Sequence, residues 1–180
     1  MATVYMVRHG RARVGDGLDP GLDELGREQA QAAAAELAGK GSLPIFSSPF
    51  ARARQTSEPL AALWGRDVAI EPRVAEIPFP TTDPAERTAW LGKAMAGSWL
   101  DLGPDLLAWR DALVECVRSQ GEDCVIFCHF IAINVAVGAA KNDDRVVIFR
   151  PDNGSVTTLD NSGGSLRLIE LGKEAQTRVN

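Results

Sequence analysis

Short β-branched and apolar runs alternate with longer helix-forming stretches along this chain of 180 residues, and that alternation narrows its possible folds more than any other feature. Strand, helix and strand in succession pack as a βαβ unit, so the repeated pattern implies a mostly parallel sheet with helices on both faces. Thr3 to Val7 reads as the first strand, followed by a Gly/Asp-rich loop and an Ala-rich helix from Asp23 to Ala38 that Gly39-Lys40-Gly41 ends. Leu43 to Phe46 reads as a short buried strand. A helix from near Pro49 to Trp64 follows, with Pro49 suited to its first turn and Pro59 expected to kink or divide it. Val68 to Ile70 reads as a strand, and residues 76–103 as irregular chain with a short helix from Ala85 to Met95. A helix from Pro104 to Ser119 precedes a strand at Val125 to Cys128. Ile131 to Ala140 suits a buried helix, although composition alone also allows a strand. Val146–Phe149, Val156–Leu159 and Leu166–Leu171 read as closing strands, with an antiparallel hairpin around Asn161-Ser162-Gly163-Gly164. The expected fold is α/β, a three-layer α/β/α arrangement forming one domain over residues 1–180.

Composition excludes several classes. With 45% apolar and 24% charged residues the chain can bury an ordinary core and shows no signature of disorder. No apolar run approaches the roughly 18 residues that span a bilayer. Met1-Ala2-Thr3-Val4 passes directly into a strand, without a basic and apolar leader, so a cytoplasmic location with no membrane partner is expected. A formal charge of −5 argues against a nucleic-acid partner, which needs a basic face to displace counterions. Cys116, Cys124 and Cys128 form no disulfide framework and fit a reducing compartment. Cys124, Cys128 and His129 do not suit a metal: on a strand, residues four apart stand roughly 13 Å from one another, and residue 129 leaves on the opposite face from 128. Gly39-Lys40-Gly41-Ser42 imitates a phosphate-binding loop, but it runs helix, loop, strand, the reverse of what that loop requires.

The chemistry gathers at strand ends, where open α/β sheets bind ligands. The chain has only two histidines, and each closes a predicted strand: His9 in Arg8-His9-Gly10, and His129 in Cys128-His129. A planar guanidinium at Arg8 matches phosphoryl oxygens in bidentate fashion. His9 beside it can serve as nucleophile, base or hydrogen-bond donor. Gly10 permits close backbone approach or an unusual φ/ψ. Ser47-Ser48-Pro49 ends the next strand, and Arg52 follows in the opening of a helix. A cation at the positive end of a helix dipole is unfavourable by itself, and a bound anion would offset it. Arg54 points roughly 200° around the helix from Arg52 and is expected in solvent.

Taken together, Arg8-His9-Gly10, the segment Asp19-Pro20-Gly21-Leu22-Asp23-Glu24-Leu25-Gly26-Arg27-Glu28-Gln29-Ala30, Ser47-Ser48-Pro49 through Arg52-Ala53-Arg54-Gln55-Thr56, Glu76, Cys128-His129 and Asn153-Gly154-Ser155-Val156 resemble the histidine phosphatase superfamily, the phosphoglycerate-mutase-like proteins. The resemblance covers most of the chain. It implies a pocket in which Arg8, His9, Arg52 and His129 surround one phosphoryl group. It further implies that His9 becomes phosphorylated, Glu76 donates the proton and His129 holds phosphate oxygens, with no metal or cofactor. Glu76 lies between apolar neighbours in Val74-Ala75-Glu76-Ile77-Pro78, an environment that raises a carboxyl pKa.

The chain also departs from the family pattern. Arg11-Ala12-Arg13-Val14-Gly15 replaces the polar residues that often follow the triplet, leaving Arg13 as a further candidate for the phosphate. Phe130 stands where relatives usually have glycine, or an aspartate acid. With Ile131 it is expected to make the substrate mouth narrower and more apolar, and Asn134 either orients that helix or is simply buried. By the same resemblance, residues 76–104 form a short cap. Phe79, Trp90, Trp99 and neighbouring Trp109 are expected to pack rather than contact ligand. So few cations in the cap suit a small phosphomonoester, or a phosphoprotein, better than a sugar bisphosphate. Hydrolysis is therefore expected, with a phosphomutase or a catalytically weak phospholigand-binding module as the alternatives.

Overall fold

The computed structural model describes residues 1–175. Side chains of the first strand, β1 (Thr3–Arg8), alternate between two apolar layers. Val4 and Met6 join the cluster formed with one pair of helices, while Val7 faces the other pair. The same division runs through β4 (Cys124–Cys128), which is buried on both faces: Val125 and Phe127 to one side, Cys124, Ile126 and Cys128 to the other. Helices α1 (Glu24–Leu37) and α2 (Ala51–Trp64) cover the first face through Ala33, Ala34, Leu37 and Leu60. Helices α4 (Pro104–Arg118) and α5 (Phe130–Lys141) cover the second, with Leu113, Cys116 and Val117 against the apolar flank of α5. The result is the expected three-layer α/β/α arrangement.

Six strands form one sheet in the order β3-β2-β4-β1-β5-β6, with β2 at Ile45–Ser47, β3 at Val68–Ile70, β5 at Val156–Asp160 and β6 at Arg167–Glu170. Pairs β1/β4, β2/β4 and β2/β3 are parallel; β5 runs antiparallel to both of its neighbours and so is the one reversed strand of the sheet. The expected terminal hairpin is present. Registers Arg8↔Cys128 and Ser47↔Phe127 bring the carboxyl ends of β1, β4 and β2 side by side. That alignment puts His9, His129 and Ser48 in one row.

Local signals explain most of the boundaries. The Asp23 carboxylate accepts from Gly26 N at 2.7 Å and caps α1. Asp83 caps α3 (Pro84–Met95) in the same way, with Pro84 in the first turn. Where the structure departs from the sequence reading, packing or hydrogen bonding supplies the reason. Pro49 lies outside α2, whose N-cap is Phe50, and the helix continues through Pro59 undivided because its packed face, including buried Ala53 and Leu60, outweighs a cost of about 3 kcal/mol. Val146–Phe149 is not a strand. Val146 and Phe149 are buried core residues, and the backbone N–H groups of Ile148 and Phe149 donate to Asn134 Oδ1 at 2.7 and 3.1 Å instead of to a sheet neighbour.

Candidate active site

His9 and His129 emerge from adjacent strands with ring centroids 5.2 Å apart. The His9 N–H donates to Cys128 O at 3.0 Å, which extends the ladder one step beyond the strand. Its carbonyl accepts from Asn153 Nδ2 at 3.0 Å. The ring Nδ1 lies 2.7 Å from Gly10 O, an acceptor only, so the neutral imidazole carries its proton on Nδ1. Nε2 is therefore bare, and Arg52 Nε donates to it at 3.2 Å. Burial, reinforced by the charge of Arg52 and then of Arg8, lowers the His9 pKa to about 3 against the opposing Gly10 bond. The ring is neutral throughout the physiological range.

Arg8 and Arg52 both set positive charge near that ring. Arg8 Nη1 donates to Pro151 O at 2.9 Å, its guanidinium carbon lies 5.2 Å from the Phe130 ring centre, and its buried Nε has no protein partner. Arg52 lies over Phe50 at 4.9 Å and reaches Glu76 Oε2 through Nη2 at 3.4 Å. The two phenylalanines thus give each guanidinium a flat, apolar support. In the free protein the Glu76 carboxyl group faces Arg52 at the opening of α2, while Asp19 Oδ1 accepts from Ala51 N at 2.8 Å.

Glu76 is held by its flanks, since Val74 and Ile77 are both core residues. Its Oε1 accepts from Ile77 N at 3.0 Å, and its Oε2 lies 3.5 Å from His129 Nδ1. Burial raises its pKa, opposed chiefly by Arg52. His129 is fully buried with Nε2 2.8 Å from Ser48 Oγ, and burial, then His9, Arg52 and Arg8, lower its pKa well below the ordinary value.

The structure brings together Arg8, His9, Arg52, Glu76 and His129. It leaves Arg13 apart: that side chain is half exposed, donates to Leu22 O at 3.1 Å and pairs loosely with Asp16. Ile131 lies in the core, 3% exposed, whereas Phe130 is half-buried beside Arg8. Gly10 has no left-handed backbone. A Cβ there would lie 2.4 Å from Gly26 O, so close approach of α1 is the whole reason for glycine.

Several positioning groups went unread in the sequence. Thr56 Oγ1 accepts from Gly10 N at 2.9 Å and donates to Arg52 O at 2.6 Å, tying the β1 loop to α2. Asn153 and Pro151 hold His9 and Arg8 from a distant loop. Thr56 and Asn153 both lie in segments that carry the family resemblance, but nothing in those segments shows which atoms they hold. Asn134, left open by the sequence, pins residues 148–149 and donates to Phe130 O at 3.0 Å.

Two guanidiniums beside neutral imidazoles suit a tetrahedral oxyanion, and their place at the carboxyl edge of the sheet puts the protein among phosphoryl-handling α/β enzymes. Relatives narrow that class. The chain belongs to the histidine phosphatase superfamily (branch 1), whose sequence model matches residues 4–174. It is 28% identical over 163 residues to a probable phosphoglycerate mutase of Photorhabdus laumondii, covering 77% of this chain and 74% of that protein. It is 29% identical over 170 residues to a glucosyl-3-phosphoglycerate phosphatase of Mycobacterium tuberculosis, covering 87% of this chain and 72% of that one. The solved structure of a mycobacterial glucosyl-3-phosphoglycerate phosphatase complexed with VO3 superimposes with a TM-score of 0.75 at 26% identity, over 96% of this chain and 99% of that one.

Proposed function

We propose that this protein is a metal-independent phosphomonoester hydrolase that works through a phosphohistidine on His9. The bare Nε2 of a neutral His9, met by Arg52 Nε at 3.2 Å in a site where the two imidazole rings stand 5.2 Å apart, carries the proposal. Nε2 attacks phosphorus while the ester P–O bond breaks, and Glu76 gives its proton to the departing alkoxide. Water then attacks the phosphohistidine, Glu76 takes the proton back, and inorganic phosphate leaves. Arg8 and Arg52 spread positive charge over the equatorial oxygens, and His129 directs an N–H to one of them.

The substrate we favour is a small phosphomonoester with a modest or partly apolar leaving group. Phe50 and Phe130 line the guanidinium side of the site, and residues 76–104, which we take as its cap within one domain, carry only Arg87 and Lys93 as cations. The Arg87 guanidinium lies 4.0 Å over the Phe79 ring. Phe79 packs on Trp90, and Trp99 on Trp109, consistent with a structural role for those aromatics. No helix among the described residues is long and apolar enough to cross a membrane. All three cysteines are free and buried, which fits the reducing cytoplasm where we place the protein.

An activated aryl phosphate, supplied with EDTA, tests the reaction. Phosphate release through an acid-labile phosphoenzyme, abolished in His9→Ala, is expected; wild-type turnover by that variant would end the proposal. Transfer of the phosphoryl group to a second hydroxyl would identify a mutase instead. Tight phosphate binding with no phosphoenzyme would identify a binding module.

A further inference from the structure

The two histidines present different nitrogens to the pocket, and what determines the proton on His129 has a structural answer. We propose that Ser48 is a positioning residue that selects the tautomer of His129, fixing the ring proton on Nδ1, where it faces the phosphate site. Its place in catalysis rests on the phosphatase reading above; the proton assignment does not.

Ser48 follows β2 directly, and its N–H donates to Phe127 O at 2.9 Å, which lays the residue beside the end of β4. Its side chain is fully buried. A serine hydroxyl has one proton and two lone pairs. One lone pair receives Phe50 N–H at 3.2 Å, and the other neighbour is His129 Nε2 at 2.8 Å. Among the described residues Ser48 Oγ makes no further hydrogen bond. Were Nε2 protonated, the hydroxyl would accept twice and its own O–H would be buried without an acceptor. Nδ1 would then be bare and, against the ionised form of Glu76, would set its lone pair toward Oε2 at 3.5 Å. Placing the proton on Nδ1 removes both conflicts at once: Ser48 donates to Nε2, and Nδ1–H points toward Glu76 Oε2. Nδ1 is also one of the buried polar atoms left without a protein hydrogen bond, the condition of a donor reserved for a ligand.

Both rings therefore hold the same tautomer for opposite purposes. His9 spends its Nδ1–H on Gly10 O and shows a bare nitrogen to the pocket. His129 has its Nε2 satisfied by Ser48 and shows an N–H, suited to a phosphate oxygen.

Because the chain has two histidines, ¹⁵N-histidine labelling yields only two ring systems, assigned with His9→Ala. Long-range ¹⁵N–¹H spectra of the ligand-free protein should show His129 with protonated Nδ1 and bare Nε2. Ser48→Ala should mix the tautomers or move the proton to Nε2, and weaken orthovanadate binding by about tenfold or more through loss of a donor to a charged ligand. Ser48→Thr, which keeps the hydroxyl, should restore both properties. A wild-type spectrum with Nε2 protonated overturns the proposal, as does a Ser48→Ala spectrum unchanged from wild type. If Ser48→Ala does not fold, the wild-type and Ser48→Thr spectra decide. A protein with the expected tautomer but no phosphohydrolase activity would refute the reaction and leave the proton assignment standing.

Discussion

Replacing Asn134 with leucine should destabilise the protein and also weaken phosphate binding, although Asn134 touches neither histidine. Asn134 is fully buried in α5. Its Oδ1 takes two backbone N–H groups, from Ile148 at 2.7 Å and Phe149 at 3.1 Å, and its Nδ2 reaches Phe130 O at 3.0 Å. Leucine keeps the branched four-atom skeleton but is bulkier, so the loss of the acceptor is joined by some overpacking. Each backbone N–H left buried and unsatisfied costs about 1–3 kcal/mol, so the pair should cost roughly 2–6 kcal/mol. In a domain of this length that corresponds to a Tm lower by roughly 5–20 °C. The freed segment leads within two residues to Pro151, whose carbonyl holds Arg8 Nη1 at 2.9 Å. KM for an aryl phosphate should therefore rise as Arg8 loses its anchor. Urea unfolding gives the stability and steady-state kinetics the second effect. A loss below about 1 kcal/mol would mean that these N–H groups find other partners, and the argument from unsatisfied donors would be refuted.

Other expectations follow from the same geometry. Both histidines are held neutral when folded and take protons below pH 6.5 when unfolded, so the unfolded chain binds more protons and stability falls as pH drops. Between pH 7 and pH 5, urea unfolding should show wild type losing about 2 kcal/mol more than His9→Ala, and parallel losses would contradict the low His9 pKa. Glu76→Gln should slow phosphoenzyme formation from alkyl phosphates by about 100-fold or more while sparing its formation from aryl phosphates, whose leaving groups need no proton; equal losses in that step, read by rapid quench, would remove Glu76 from the acid role. Gly10→Ala drives a Cβ to 2.4 Å from Gly26 O and should cost about 1–3 kcal/mol, whereas Gly39→Ala, with nothing within 4 Å, should be nearly neutral by thermal unfolding.

The sequence by itself determined the layered α/β class, the mostly parallel sheet and the identity of the two strand-end histidines. These rest on near-neighbour physics: period-2 burial in β1, the alternation of strand-forming and helix-forming runs, and a scarce residue type placed where strands end. It also supplied Arg8 and Arg52 as candidates from their local settings, and Glu76 through the family resemblance. Tertiary structure alone decided the remainder. Val146–Phe149 carries a strand's composition, yet a side chain 14 residues earlier claims its backbone donor at Ile148. Arg13 has the charge for the site but is held outward by Leu22 O and Asp16. Ile131 follows the phenylalanine at the mouth and nevertheless turns into the core. Ser48, Asn153 and Pro151 gain their importance from strand register and from a loop some 140 residues beyond His9, distances over which sequence periodicity carries no information. Side-chain type and local spacing select which groups can do chemistry; only the register of β1, β4 and β2 decides which atoms meet.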